Sequence, residues 1–196
     1  TSQGIYGTAL GVIATYVFHF VLFGVMATRI GLGQLFIDVA SALAGRYAGG
    51  PAKVSVLSSA LLGSISGSSI ANTVTTGALT IPAMIRIGYP RHFAAAVEAA
   101  ASTGGQITPP VMGAVAFLMI EYLGVPLTTI LTAALVPAFM HFFGVLVQVH
   151  LEARRLGLRG LSADELPNAW KVLKAGWLSV LPLVILVAVL LSGRTP

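Results

Sequence analysis

The chain has 196 residues, of which 56% are hydrophobic and 9% charged, with a mean hydropathy of +0.91. A soluble domain carries about 25% charged residues, so this composition excludes a water-covered globule and reads as an integral membrane protein. The net charge of +5 is not a nucleic-acid footprint, because the basic residues close apolar runs instead of sharing one aromatic-laced face, and the absence of cysteine excludes a thiolate metal site.

Residues 5 to 28 are almost uninterrupted apolar sequence, and about 20 such residues span a bilayer. The run lacks a basic start, so it reads as a span and not as a cleavable signal peptide. Arg29 closes it and predicts a cytoplasmic end. His19, inside the run, reads as a packed, hydrogen-bonded histidine ahead of a functional one. Over residues 31 to 46, Leu32, Leu35, Phe36, Val39 and Leu43 recur at helical spacing, with Gln34, Asp38 and Ser41 between them. That pattern predicts an amphipathic helix, too short and polar to span and so placed at the membrane interface. Gly45-Arg46-Tyr47-Ala48-Gly49-Gly50-Pro51 breaks it.

Lys53 opens a central element that closes on Arg86, Arg91 and His92. Both ends are basic, so both should face the cytoplasm, and the chain must turn inside the membrane. The turn falls at a first break, Gly63-Ser64-Ile65-Ser66-Gly67-Ser68-Ser69-Ile70-Ala71-Asn72. Limbs of roughly 12 to 16 residues reach about 18 to 24 Å, short of a full span with flanks. Residues 53 to 88 therefore read as a re-entrant helical hairpin. Two complete thin spans with a polar outer loop fit the same charge signs.

Phe93 to Ala101 reads as an alanine-rich half-helix, suited to close packing in lipid, with Glu98 inside it. A second break follows at Ala101-Ser102-Thr103-Gly104-Gly105-Gln106-Ile107-Thr108-Pro109-Pro110, and Val111 to Leu123 is apolar again. Two prolines remove backbone donors and force an interruption, so residues 92 to 124 read as one span broken in its middle, with Glu121 facing outside. Pro126 to Val149 returns across the membrane with a kink at Pro137, and His141 and His150 on it read as packing or interfacial groups. Residues 152 to 159 form the most basic loop. Ser162 caps a predicted short surface helix carrying Trp170, Lys171 and Lys174, and a last span from about Trp177 to Leu191 ends outside at Arg194-Thr195-Pro196. The abrupt start and finish read as a piece of a longer polypeptide. The fold class is thus an all-α polytopic membrane protein with a re-entrant hairpin and a discontinuous helix.

At membrane depth, irregular backbone is tolerated only where protein buries it or it lines a cavity. Ser64, Ser66, Ser68, Ser69, Asn72 and Thr73 at the first break, and Ser102, Thr103, Gln106 and Thr108 at the second, supply uncharged hard oxygens. Such ligands suit alkali cations, and half-helix ends add dipoles and free N–H groups for a carboxylate. A sodium ion held by Ser66, Ser68 and Asn72, with carbonyls around Gly104 and Gly105, beside a substrate, fits this pattern. A hairpin packed through small residues would also use Ser and Gly. Glu98 either takes part in coupling or pairs locally near the interface with Arg91. Neither Gly-x-Ser-x-Gly nor a serine with an obvious histidine partner occurs at the tip, so the chain reads as no enzyme. The rival to transport is a channel-like or structural membrane subunit.

The two break strings, together with Thr76-Gly77-Ala78-Leu79-Thr80-Ile81-Pro82-Ala83-Met84, Ala96-Val97-Glu98-Ala99, Pro109-Pro110-Val111-Met112-Gly113 and His150-Leu151-Glu152-Ala153-Arg154, resemble the DctM-like large membrane subunit of tripartite ATP-independent periplasmic (TRAP) transporters. In particular they resemble fused permeases that work with TAXI-type binding proteins. The resemblance implies a sodium-driven symporter in a bacterial or archaeal inner membrane. It implies import of a small organic acid, such as a C4-dicarboxylate, handed over by a periplasmic TAXI-type substrate-binding protein. It implies an elevator mechanism, with this chain as the first of two inverted repeats. Residues 1–52 would be a scaffold helix and arm, 53–124 part of the transport domain, and 125–196 scaffold helices with a basic loop at 152–174. Small-subunit helices, fused in the full chain, and the bilayer are the other implied partners; sodium is the coupling ion and no cofactor is expected. The implied sodium and substrate residues are Ser66, Gly67, Ser68, Ser69, Asn72, Thr103, Gly104, Gly105, Thr108 and Pro109, with Glu98 in coupling.

Overall fold

Interruption of apolar sequence by glycine and proline fixes where each helix stops. The computed structural model describes residues 7–192, so the start of the first predicted run and its proposed outer end at Arg194-Thr195-Pro196 lie outside the described residues. All regular structure among the described residues is helical. Helix α1 is Thr8–Arg29, with a π-helical turn over Ile13–Val17; α2 is Leu32–Ala44; α3 is Gly50–Ser66; α4 is Ser69–Arg86. Helix α5 is Arg91–Gly104, α6 is Ala114–Leu123, α7 is Leu127–Arg155 and α8 is Ala169–Leu191. Of these, α1, α7 and α8 are long and apolar enough to cross a membrane.

Helices α3 and α4 form the hairpin, and its turn is shorter than predicted. Gly63–Ser66 and Ser69–Asn72 are helical; only Gly67 and Ser68 interrupt the chain. Some of the polar residues bond within the limbs: the Ser64 hydroxyl donates to the Leu61 carbonyl at 2.7 Å, and Thr75 to Ala71 at 2.8 Å. Gly67 takes a left-handed conformation at φ +59°, which only glycine adopts without cost. Ser68 then caps α4, its hydroxyl accepting from the Ala71 N–H at 3.3 Å. The limbs have 17 and 18 residues and reach about 26 and 27 Å, longer than the predicted limbs. The broken helix is present, but its break sits later than predicted. Ala101 to Gly104 stay helical, a single 3-10 turn covers Gly105–Ile107, and α6 starts only at Ala114.

Two further expectations are corrected. Helix α2 does not lie with a free apolar face on the membrane plane. Leu32, Leu35 and Phe36 pack with Leu62 and Ile65 near the hairpin tip, and Ala40 and Ala44 pack with Val54 near its base, so α2 runs antiparallel along α3. Leu43, assigned to the apolar stripe, is 60% exposed. The surface helix after Ser162 is also absent as predicted. Ser162 and Glu165 bond to each other around one 3-10 turn at Ala163–Glu165, and the helix begins at Ala169, capped by the Asn168 side chain and continuous to Leu191. Trp170, Lys171 and Lys174 therefore belong to the last span's own first turns. The basic connection is shorter than 152–174, because α7 runs to Arg155. Helix α7 also runs through Pro137 without ending there.

Alanines let α3, α4, α5 and α7 approach closely: Ala52, Ala94, Ala101 and Ala153 share one core with Val56, Met84 and Val149. Tyr89, in the connection between α4 and α5, donates from its hydroxyl to the Val149 carbonyl at 3.2 Å. Burial, with Glu152 adding to it, pushes this phenol up to about 12, so the bond persists across the physiological range. Leu62 is 1% exposed at the junction of α2, α3 and α1. Leu62→Ala is expected to destabilise the fold by about 2 kcal/mol through the cavity it leaves, while Leu43→Ala stays within about 0.5 kcal/mol of the parent. Unfolding of both variants in detergent checks this; equal losses would contradict the packing described.

Candidate functional site

The structure brings the two breaks together. Gly63 on α3 lies against Gly105, and a Cβ placed on Gly105 would stand 2.6 Å from the Gly63 Cα, so neither position has room for a side chain. Main-chain bonds follow from that approach. The Val111 N–H donates to the Ser64 carbonyl at 3.0 Å, and Gln106 Nε2 donates to the Ser69 hydroxyl at 3.0 Å. Gly67 sits against the Met112 carbonyl, and Met112 itself holds a left-handed φ of 57° while buried. A non-glycine residue there carries strain of order 1 kcal/mol, sustained by the contacts around it. Helix α1 backs the tip: a Cβ on Gly24 would lie 3.1 Å from the Ile65 carbonyl. Gly63, Gly105, Val111, Met112 and Gly113 are buried in this junction, whereas Gln106 and Ile107 on its rim are exposed.

Around this junction lie two cavities. One, of about 440 Å³, is lined by Ser66, Gly67, Ser68, Gln106, Met112 and Phe117. The other, of about 300 Å³, opens between α1 and the hairpin and is lined by Thr28, Ser66, Ser68, Asn72 and Thr75, among others. The Ser66 hydroxyl and the Asn72 side-chain carbonyl oxygen are buried without a hydrogen-bond partner among the described residues. Both belong to residues lining the second cavity. Asn72 is held by its amide, which donates to the Ser59 carbonyl at 2.9 Å. Buried polar atoms left without partners are costly, so a pair on one cavity wall is a ligand-shaped arrangement. Two neutral hard oxygens suit an alkali cation.

The remaining expected site residues have other surroundings. Gly104 packs against the rings of His141 and Phe142, and its carbonyl accepts the Thr108 hydroxyl at 2.8 Å. The Gly105 carbonyl accepts the Thr108 N–H at 3.3 Å. Both glycines therefore serve close packing. Thr103 is exposed, its hydroxyl bonded to the Ala99 carbonyl at 2.8 Å. Pro109 lies in the irregular stretch, half-buried, in a cis bond to Pro110. His141 Nε2 donates to the Ala100 carbonyl at 3.0 Å, His150 meets Lys53 at 3.0 Å, and His19 Nδ1 donates to the Thr15 carbonyl at 2.7 Å while exposed.

Glu98 is the largest departure from expectation. It is fully buried, far from pairing with Arg91, and enclosed by hydroxyls from three helices. Ser55 on α3 donates to Oε2 at 2.6 Å, Ser59 to Oε1 at 3.3 Å and Ser102 on α5 to Oε1 at 3.2 Å. Thr76 and Thr80 on α4 bond to Oε1 and Oε2 respectively. None of Ser55, Ser59, Thr76 and Thr80 was picked out from the sequence. Their signal was there: Ser55 and Ser59, Thr76 and Thr80, and Glu98 and Ser102 are each four apart, one helical face within apolar runs.

A family description, "Tripartite ATP-independent periplasmic transporter, DctM component", matches residues 2–196. The chain belongs to this family. Similar curated proteins include the C4-dicarboxylate TRAP transporter large permease protein DctM of Pseudomonas aeruginosa, 30% identical over 182 residues, covering 90% of this chain and 41% of that protein. The DctM of Rhodobacter capsulatus is 29% identical over 190 residues, covering 90% of the chain and 43% of that protein. The isethionate TRAP transporter permease protein DctMQ of Oleidesulfovibrio alaskensis is 26% identical over 179 residues, covering 90% and 28%. The chain thus spans about two fifths of the length of the large permeases it matches. Membership and the three long apolar helices make it a membrane permease component, and the relatives are transport proteins, not enzymes.

The glycine contact at the heart of this DctM-family junction generates a test. With no native cysteine in the chain, Ser69→Cys and Gln106→Cys should be joined readily by a short bis-thiol reagent. Gly105→Val, which drives a branched side chain into Gly63, should abolish that cross-link while leaving a cysteine pair at Val54 and Ala40, away from the junction, unaffected. Retained cross-linking at the junction would contradict the close approach.

Proposed function

We propose that the chain is the first repeat of a longer, sodium-coupled TRAP permease of the inner membrane, which imports a small organic acid delivered by a periplasmic binding protein of the TAXI type. The observation that carries this reading is the pair of unpartnered buried oxygens, Ser66 Oγ and Asn72 Oδ1, on one cavity at the hairpin tip. They fit a sodium ion as cargo, since they are neutral, hard and fixed by helix ends. The larger cleft on the other side of the tip, about 440 Å³, has the volume of a small-molecule site, with the polar residues Ser66, Ser68 and Gln106 among those lining it. A C4-dicarboxylate or a related acid suits it, as the relatives' names indicate for those proteins. Small-subunit helices fused elsewhere in the same polypeptide accord with the DctMQ relative.

In this reading the hairpin is re-entrant. What supports this is that its tip contacts the middle of the α5–α6 segment and α1. Residues 53–124 form the moving part of an elevator, with Gly24 giving α1 a smooth surface where it meets the tip. Cysteines at positions 53 and 88 should both label from the cytoplasm, whereas one at position 68 should resist periplasmic reagents in the inward-facing state; ready periplasmic labelling of position 68 in every state would instead establish two full spans.

The functional test uses the complete permease reconstituted with its binding protein. Ser66→Ala and Asn72→Ala are each expected to raise the sodium concentration for half-maximal uptake about tenfold, the equivalent of about 1.4 kcal/mol for one lost ligand. Thr103→Ala, whose hydroxyl points back to its own helix, should leave sodium activation unchanged. Uptake that ignores sodium, or no coupled uptake at all, would favour a channel-like or structural subunit.

A further inference from the structure

We propose that Glu98 is a reversible proton-binding site, and that a proton there competes with the cation at the hairpin tip. The competition rests on the cation reading above; the proton site stands on the geometry of the cage.

A carboxylate without exposure, in a helix of a membrane protein, is costly unless it is paired or neutralised. Among the described residues, no cationic side chain pairs with Glu98. The titratable and charged groups on the elements packed against it are Lys53 on α3, Arg86 on α4, Arg91 and His92 on α5, and His141, His150, Glu152, Arg154 and Arg155 on α7. Of these, Lys53 meets His150, Arg86 meets Glu165 at 3.6 Å, Arg155 meets Glu152 at 3.1 Å and His141 meets a backbone carbonyl. Arg91 and His92 are exposed at the far end of α5. The surroundings of Glu98 are five neutral hydroxyls. Their oxygens lie at hydrogen-bonding distance from the carboxylate.

The cage is built to be satisfied in two protonation states. Each hydroxyl has one proton and two lone pairs. Thr76 bonds to Glu98, and its oxygen also lies 2.8 Å from the Asn72 carbonyl; Thr80 bonds to Glu98 and lies 3.0 Å from the Thr76 carbonyl. With Glu98 ionised, the threonine protons point to the carboxylate. When Glu98 takes up a proton, one threonine turns its own proton to its carbonyl four residues back, and its oxygen accepts the new O–H. No heavy atom moves, and no buried group loses its partner.

The link to the tip runs through Asn72. Its carbonyl receives Thr76, its amide holds the Ser59 carbonyl, and Ser59 itself bonds to Glu98. A cation at the Asn72 Oδ1 favours the ionised form of a nearby carboxylate, so cation and proton binding oppose each other, reciprocally.

The test is an infrared titration of the complete permease in liposomes, with transport not required. A carbonyl-stretch band of a protonated carboxylic acid should appear as pH falls, vanish in Glu98→Gln, and require more acid to appear when sodium replaces potassium at equal ionic strength. Thr80→Val, which removes one donor to the carboxylate, should increase proton affinity about tenfold, a single hydrogen bond's worth, and serves if Glu98→Gln fails to fold. A band unchanged in Glu98→Gln, or one that never appears over the stable pH range, overturns the proton site. A band equally placed in sodium and potassium overturns the competition. Sodium-independent uptake with the Glu98 band intact would sink the transporter reading alone.

Discussion

Burial of one carboxylate dictates how the central helices assemble. Glu98 cannot face lipid, and it cannot be left bare in protein, so hydroxyls must reach it from both hairpin limbs and from its own helix. Ser55 and Ser59 arrive from α3, Thr76 and Thr80 from α4, and Ser102 from its own helix. These bonds fix the rotation of both hairpin limbs about their axes, because turning either limb by one residue would point its hydroxyls away. Lipid supplies no hydrophobic drive to hold apolar helices together, so polar bonds and close packing take that role. The alanines of α5 and its partners supply the packing, and the cage supplies the specificity.

Once the limbs are set, the tip follows. Gly63 faces Gly105, and the two backbones meet with no side chain between them. That approach lets Val111 bond to Ser64 and places Gln106 on Ser69, which seats the hairpin turn in the gap of the broken helix. The polar atoms left over, Ser66 Oγ and Asn72 Oδ1, end up on a shared cavity wall. Asn72 thus belongs to both regions: its backbone carbonyl and side-chain amide are committed to the cage side, and its Oδ1 is buried without a partner beside the cavity. In the proposed reading, that shared side chain is the physical route by which binding at one place alters the other.

Much of this architecture was legible in the sequence because its signals are local. Apolar run length marked α1 and α7, basic residues marked the hairpin ends, and Gly67 and the Pro109–Pro110 pair marked the two interruptions. What was misread depends on contacts between elements. Ser64, Ser66, Ser69 and Asn72 look like a loop when read alone, yet all four lie within the two limbs' helices, so the break shrinks to two residues. The α2 stripe looks interfacial until α3 and α8 cover it. Asn168, not Ser162, caps the last helix, since Glu165 folds back on Ser162. For Glu98 the sequence showed the charge but not its partners, four of which are 18 to 43 residues away and meet it only through tertiary packing. Gly104 and Gly105 were read as carbonyl donors to an ion, whereas here they are points of closest approach.

Central to this account is a selective cation site at the hairpin tip, formed by oxygens that the folded chain leaves without partners. The most direct measurement is the thermal unfolding of the complete permease in sodium chloride and in potassium chloride at equal ionic strength. A ligand that binds only the folded state raises its stability. The account predicts a higher unfolding temperature in sodium, and loss of that difference in Asn72→Ala. Equal unfolding temperatures in the two salts, or a sodium effect untouched by Asn72→Ala, would contradict it.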